Sequence, residues 1–184
     1  MTSSRDWMAG VRGLMQTLHE DLRAKARWNY EADGPRELLR ALLSDGTLAV
    51  VLYRLMQASR HAGLTPAEML FNKLNTVLGQ CIIGRGAEFG PGLVLIHSQG
   101  VVINGAVRAG RNVHIEHQVT IGAEKGQSPA LGNNVFIGCG AKIVGPVSLG
   151  DGTRVGANAV VLHDVPADTT VVGIPAKPVV RKER

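Results

Sequence analysis

Two histidines twenty residues apart are the most chemically suggestive side chains in this sequence. His97 stands in the segment Leu95-Ile96-His97-Ser98-Gln99-Gly100, and His117 follows Ile115 by two positions. Neutral imidazole, with an ordinary pKa of about 6.5, can take a proton from a hydroxyl near neutral pH. Backbone amides at strand turns could stabilise the oxyanion that such an attack generates. Whether the two histidines can act together depends on the elements that carry them.

Those elements follow a six-residue rhythm. Apolar residues recur at Ile83, Phe89 and Leu95, then Ile103, Ala109, Ile115 and Ile121, then Leu131, Ile137, Ile143, Leu149, Val155 and Val161. Glycine often follows directly, and a small or branched residue stands two places before. This is the hexapeptide pattern of a parallel β-helix, in which three short strands make one coil and stacked coils bury a continuous core. Three hexads plus two extra residues near Gly100 to Val102 carry His97 onto His117 at the same corner of the next coil. Stacked strands lie about 4.8 Å apart, so the imidazoles should be neighbours. A second interruption, polar, runs from Ala123 to Ala130 and contains Glu124-Lys125-Gly126-Gln127-Ser128-Pro129. Insertions in solenoids project from one face, often the binding face.

Residues 1–80 read as helical. Trp7, Met8, Val11, Leu14, Met15, Leu18 and Leu22 form one apolar stripe. Asp33-Gly34-Pro35 ends that region and opens a short helix carrying Leu38, Leu39, Leu42 and Leu43. A third helix is expected from about Thr47 to Ala62, stopped by Gly63. Thr65-Pro66-Ala67-Glu68 has the form of a capping box opening a fourth, through Leu78 to Gly79. The division expected is therefore helices over 1–80, β-helix over 81–176 and a basic tail over 177–184.

Composition narrows the function classes. With 45% apolar and 19% charged residues the chain reads as soluble and globular, and 4% aromatic content suits a narrow core of Val, Ile, Leu and Ala. The longest uncharged run, Phe89 to Val107, is broken by Pro91, glycines, His97 and Asn104, so no membrane span is expected. Without a signal-peptide pattern the expected location is the cytoplasm. Cys81 and Cys139 are too few for a disulfide framework or a zinc site. The net charge of +5 and the basic Lys177, Arg181, Lys182 and Arg184 suit a phosphate-bearing ligand or a solvated end. Basic residues without interleaved aromatics argue against nucleic acid.

The segments Ile83-Gly84-Arg85-Gly86, Leu95 to Ile103, Val119-Thr120-Ile121-Gly122, Ile137 to Gly145 and Val172 to Lys177 resemble the serine acetyltransferase family of hexapeptide acyltransferases. That resemblance implies a mainly β architecture, a left-handed parallel β-helix preceded by a small helical region. It also implies a homotrimer, alone or paired into a dimer of trimers, with acetyl-CoA bound between subunits and no metal. It gives His97 the role of general base, and the coil count places His117 beside it as the second catalytic candidate. It assigns the donor site to Gly122, Gly138, Cys139, Gly140, Ala141 and Lys142, with Lys142 or Lys177 meeting phosphates. Asp21 matches the family's helical-domain aspartate.

Departures from the family then bear on the acceptor. Family members carry an aspartate supporting the base at the place of Ile82, another at the place of Ile96, and an Arg-His pair where this chain reads Gln127-Ser128-Pro129. A free amino acid needs charged partners for its ammonium and carboxylate. The sequence is similar, moreover, to the short exopolysaccharide or colanic-acid type of acetyltransferase, which also has Val101-Val102-Ile103-Asn104 after the base. The expected acceptor is therefore a sugar hydroxyl, with Ser98, Gln99, Asn104, Gln118, Gln127 and Ser128 as lining. Serine O-acetylation in cysteine biosynthesis is the alternative. A metal-dependent hydratase using His97, His114 and His117, or a non-catalytic scaffold, are remoter rivals.

Overall fold

The computed structural model describes residues 4–179, with side chains from residue 10 onward. The side chains of Trp7 and Met8, and the basic Arg181, Lys182 and Arg184, lie outside the described residues. Four helices come first: α1 (Ser4–Tyr30), α2 (Pro35–Leu42), α3 (Thr47–His61) and α4 (Thr65–Val77). Proline in the first turn opens α2 and α4. The capping box expected at Thr65 does not form: the N-cap is Leu64, without a side-chain cap. Glu68 is instead buried, and it pairs with Arg60 at 3.2 Å and Arg85 at 3.3 Å. Among the described residues no helix is long and apolar enough to cross a membrane.

From Ile82 the chain winds through a parallel β-helix of three sheets. Sheet A contains β1 (Ile82–Ile83), β4 (Val102–Ile103), β7 (Thr120–Gly122), β10 (Lys142–Val144) and β13 (Val160–Val161). Sheet B contains β2 (Glu88–Phe89), β5 (Arg108–Ala109), β8 (Ala130–Leu131) and β11 (Ser148–Leu149). Sheet C contains β3 (Val94–Leu95), β6 (His114–Ile115), β9 (Phe136–Ile137), β12 (Arg154–Val155), β14 (Thr170–Val172) and the antiparallel β15 (Lys177–Pro178). The rhythm's apolar positions form the inward columns: Ile83, Ile103, Ile121, Ile143 and Val161 in sheet A, each almost wholly buried. Phe89 stacks over the small Ala109 in sheet B, keeping the core filled where one side chain is large. Lys177 and Pro178, expected to begin a loose tail, return against Val172 and Val171 and close the last coil.

The first coil has no coil before it, so its backbone presents an open edge of unpaired N–H and C=O groups. The helices cap that edge. Arg54 donates to the carbonyls of Phe89 and Gly90, both at 2.7 Å, and Asn72 to that of Ile83 at 2.9 Å. Tyr53 donates its hydroxyl to the Ala87 carbonyl at 3.0 Å and accepts from the Phe89 N–H at 3.1 Å. Asp21 accepts from the N–H groups of Gly92 and Leu93 while paired with Arg54 at 2.7 Å. Buried charge in the helical region therefore serves the sheet edge. Sheet C also docks α1 on its outer face, where Trp28 stacks on Phe136 and meets His114 edge-on.

Candidate active site

Sheet C runs into sheet A at one corner of the prism. Leu95, Ile115, Ile137 and Val155 are in register, so residues two places on, His97, His117, Cys139 and Ala157, form one column along that corner. The imidazoles of His97 and His117 have ring centroids 6.0 Å apart and are inclined at 72°. Both are partly exposed, at 47% and 43% of the side chain. The two extra residues of the first coil are absorbed in this turn, where Gly100 N–H bonds the Gln80 carbonyl and Val101 N–H the Ser98 carbonyl.

Three charged residues reach the corner that the sequence reading did not assign to it. Asp45, in the turn between α2 and α3, brings Oδ2 to 3.3 Å from His97 Nδ1. Glu116 brings Oε2 to 3.6 Å from His117 Nδ1 and is largely covered. Lys25 of α1 is buried beneath them and donates to the carbonyls of Asp45 (2.8 Å), Leu95 (2.8 Å) and Ile96 (2.9 Å). Burial lowers its pKa to about 8, opposed by the nearby Asp45 and Glu116 carboxylates, so the ammonium stays charged at neutral pH. Its sequence position carried a signal: with Leu18 and Leu22 it continues the apolar stripe of α1 at helical spacing. Asp45 had no such signal, because it lies 52 residues from its partner in a turn without periodicity.

The residues expected to hold acetyl-CoA differ in what they can offer. Gly122 ends β7, and a Cβ there would meet nothing closer than 3.8 Å, so its lack of a side chain leaves open surface. Gly138 and Gly140 are small because the stack requires it. A Cβ on Gly138 would stand 2.7 Å from Ala157 N, and one on Gly140 would overlap the Asn158 side chain. Ala141 has its methyl fully buried in the core, its N–H bonds Gly138 O and its carbonyl accepts from Thr120 N–H. Cys139 is half-buried on the histidine corner. Lys142 donates to the Gln118 carbonyl at 2.6 Å, which brings its ammonium toward the same turn. Lys177 is exposed and follows Ala176, whose N–H bonds Val160 O, one rung beyond Lys142 in sheet A.

Other expectations are redrawn. The Ala123–Ala130 loop leaves β7 at the end of sheet A away from the histidines, a strand's length of at most about 20 Å. There Glu124 and Gln127 bridge each other, and Ser128 donates to Asn104 at 2.9 Å. Asn104, Gln127 and Ser128 thus shape the loop, and Ser98 is buried. His114 is separated from the corner by its contact with Trp28, and burial pushes its pKa down to about 4, with help from Lys25 and Arg154. No cluster of three potential metal-binding His, Cys, Asp or Glu side chains occurs among the described residues. Asp21, matched to the family's helical-domain aspartate, is spent on Arg54 and the sheet edge.

Residues 129–163 match a family model described as bacterial transferase hexapeptide (six repeats). The serine acetyltransferase of Helicobacter pylori (strain J99) is 37% identical over 172 residues, covering 91% of this chain and 95% of that one. The chain belongs to the serine acetyltransferase family. Among solved structures, soybean serine acetyltransferase complexed with serine superposes with a TM-score of 0.80 at 34% identity, covering 90% of this chain and 69% of that one. A serine acetyltransferase complex with CoA superposes with a TM-score of 0.82 at 27% identity, covering 91% of this chain and 70% of that one. Membership makes the protein an acyltransferase that uses acetyl-CoA. These relatives overturn the sugar acceptor and the kinship with the exopolysaccharide type. That expectation rested on carboxylates missing at Ile82 and Ile96 and on Gln127-Ser128-Pro129 standing in place of an Arg-His pair. The structure shows why it misled: Asp45 and Glu116 bring carboxylates to the same corner from other positions.

Proposed function

We propose that this serine acetyltransferase family member transfers the acetyl group of acetyl-CoA to the hydroxyl of L-serine, with His97 as general base. The observation that carries the assignment is the contact of His97 Nδ1 with Asp45, which leaves Nε2 free for the acceptor hydroxyl. Nε2 takes the hydroxyl proton as the serine oxygen attacks the thioester carbonyl carbon. The tetrahedral intermediate then collapses, the carbon–sulfur bond breaks, and the proton held by His97 passes to the departing CoA sulfur. The products are O-acetylserine and CoA thiol, and no acyl-enzyme forms.

Serine's ammonium finds negative charge in Glu116 and in the outer oxygen of Asp45, both at the histidine corner. Gly122 leaves room for the donor's pantetheine arm, and Lys142 and Lys177 supply cations for its phosphates. Because the Ala123–Ala130 loop lies at the far end of sheet A, a loop from a neighbouring copy would complete the site. The assembly that the family resemblance implies, a homotrimer, would supply such a loop, and acetyl-CoA as donor suits a cytoplasmic location.

The test is release of CoA thiol from acetyl-CoA with L-serine, ethanolamine (no carboxylate) or 3-hydroxypropionate (no ammonium) as acceptor. Saturable turnover with serine is expected, together with a fall of about 10²- to 10⁴-fold in His97→Ala while acetyl-CoA binding persists. Wild-type turnover in His97→Ala, or thiol release independent of serine, overturns the assignment.

A further inference from the structure

We propose that Asp45 is the positioning residue of His97 and that Lys25 is the clamp holding it there, so that the helical region sets the orientation of the base. The proposal deepens the reading above and rests on His97 being the base. At position 82, where the resemblance implies a supporting carboxylate, this chain has Ile82, half exposed and unable to accept a hydrogen bond through its side chain. Asp45 supplies the acceptor instead. An ionised carboxylate only accepts, so the 3.3 Å contact requires the proton on Nδ1 and keeps the Nε2 lone pair for the hydroxyl.

An exposed contact of this length would wander unless both of its ends were fixed, and the structure fixes them. Gly46 follows Asp45 with φ of 77°, and a Cβ there would overlap the Leu95 carbonyl oxygen, so the turn lies directly on the strand that leads into His97. On the other side of the turn, Ser44 and Thr47 hydroxyls both donate to the Ala41 carbonyl. Lys25 joins the two halves: one of its acceptors is the Asp45 carbonyl, and the others are the carbonyls of Leu95 and Ile96, the two residues before His97. An ammonium has three N–H bonds, and each has one partner here. With Leu18, Leu22, Leu42 and Val50, Lys25 also lines an apolar cleft of ≈ 240 Å³, and the lysine itself is only 4% exposed. Lys25 thus spans the distance between Asp45 and the base without touching the imidazole.

The test uses the full chain with Asp45→Ala, Asp45→Asn, Lys25→Met, Gly46→Val and the reference His97→Ala. Nitrogen-15 NMR of histidine-labelled protein reads the His97 tautomer independently of turnover. The expected result is a neutral imidazole protonated on Nδ1 in the wild type and shifted toward Nε2–H in Asp45→Ala. Asp45→Ala should lower kcat by about 10- to 100-fold with little change in KM for acetyl-CoA. Asp45→Asn, which still accepts through its carbonyl, should recover the tautomer and part of kcat. Lys25→Met should reproduce the Asp45→Ala loss, and combining the two should add little. Should Lys25→Met fail to fold, Gly46→Val displaces the same turn with Lys25 intact and should give the same loss. Unchanged tautomer and kcat in Asp45→Ala overturn the role of Asp45; wild-type kcat in a folded Lys25→Met, or in Gly46→Val, overturns the clamp. Loss in His97→Ala alone would leave the base assigned and the proposal refuted, whereas turnover unaffected in His97→Ala would refute the base while the tautomer still reports on Asp45.

Discussion

Acid should undock α1 from the β-helix through one histidine. His114 is held neutral in the folded chain, its pKa lowered from 6.5 to about 4 because it is covered beside Trp28 and faces the cations Lys25 and Arg154. Between those two values the unfolded chain binds a proton that the folded chain refuses, so stability rises with pH across the window. The contribution is complete above pH 6.5 and is lost progressively as pH falls toward 4. A titration displaced from 6.5 to about 4 corresponds to about 3 kcal/mol, and screening of a partly covered ring reduces this to about 2 kcal/mol. His114→Phe removes the titration and keeps an aromatic ring against Trp28. Urea unfolding at pH 7.5, 6.0 and 4.5, at one fixed protomer concentration, should show the wild type losing about 2 kcal/mol more than the variant. Asp33 and Asp151 are held below the ordinary carboxylate value by hydrogen bonds from Arg23 and Asn133, so they stay ionised across this window, and any other titrating group is common to both proteins and cancels in the comparison. Parallel losses in the two proteins would refute the reasoning.

Asp21→Asn should be among the most damaging single changes, because it leaves the buried Arg54 guanidinium without its counter-charge and weakens the cap on Gly92 and Leu93. A cost of about 3–5 kcal/mol is expected, visible as a fall in Tm of roughly 10 °C, and a cost below about 1 kcal/mol would contradict the edge-capping role. The two thiols should differ sharply toward a thiol reagent at pH 7.5. Cys81 is buried and its pKa is raised to about 12, whereas Cys139 is half-buried on the histidine corner. One fast equivalent per chain is expected, removed in Cys139→Ser and slowed by CoA; fast labelling that survives Cys139→Ser would refute this.

The parts of the molecule legible in the sequence are those governed by short-range periodicity. The six-residue rhythm gave the inward columns of the prism, and counting across its first irregularity brought His97 beside His117, because parallel stacking preserves register from coil to coil. Periodicity says nothing of contacts made across the boundary between helices and coils. Asp45 reaches His97 over such a boundary, and reading positions 82 and 96 and the Gln127-Ser128-Pro129 loop without it made the corner look uncharged. The small residues at Gly138 and Gly140 misled in the opposite direction, since the next coil demands them whether or not a ligand lies nearby. Charged residues inside apolar stripes were the usable clue. Lys25 and Arg54 each interrupt a buried helical face, and each proves to cap the first coil.

Those caps tie folding to chemistry. A parallel β-helix must begin somewhere, and its first coil carries backbone groups that no earlier strand can satisfy. Here the capping residues sit on helices, and the coil they cap is the one that carries His97. Lys25 belongs to both tasks: it satisfies two carbonyls of the sheet edge and fixes the turn that brings Asp45 to the base. Trp28 lies one helical turn further along α1 and anchors that helix to sheet C through Phe136 and His114. Loosening α1 therefore withdraws Lys25 from the turn and from the strand at once. On this argument turnover should fall more steeply with acid in the wild type than in His114→Phe, and before the β-helix core melts, since protonation of the base is common to both proteins while only the wild type loosens the α1 on which the orientation of His97 depends. Activity and core unfolding that decline together in the wild type, with His114→Phe shifting neither, would separate the two roles assigned to Lys25.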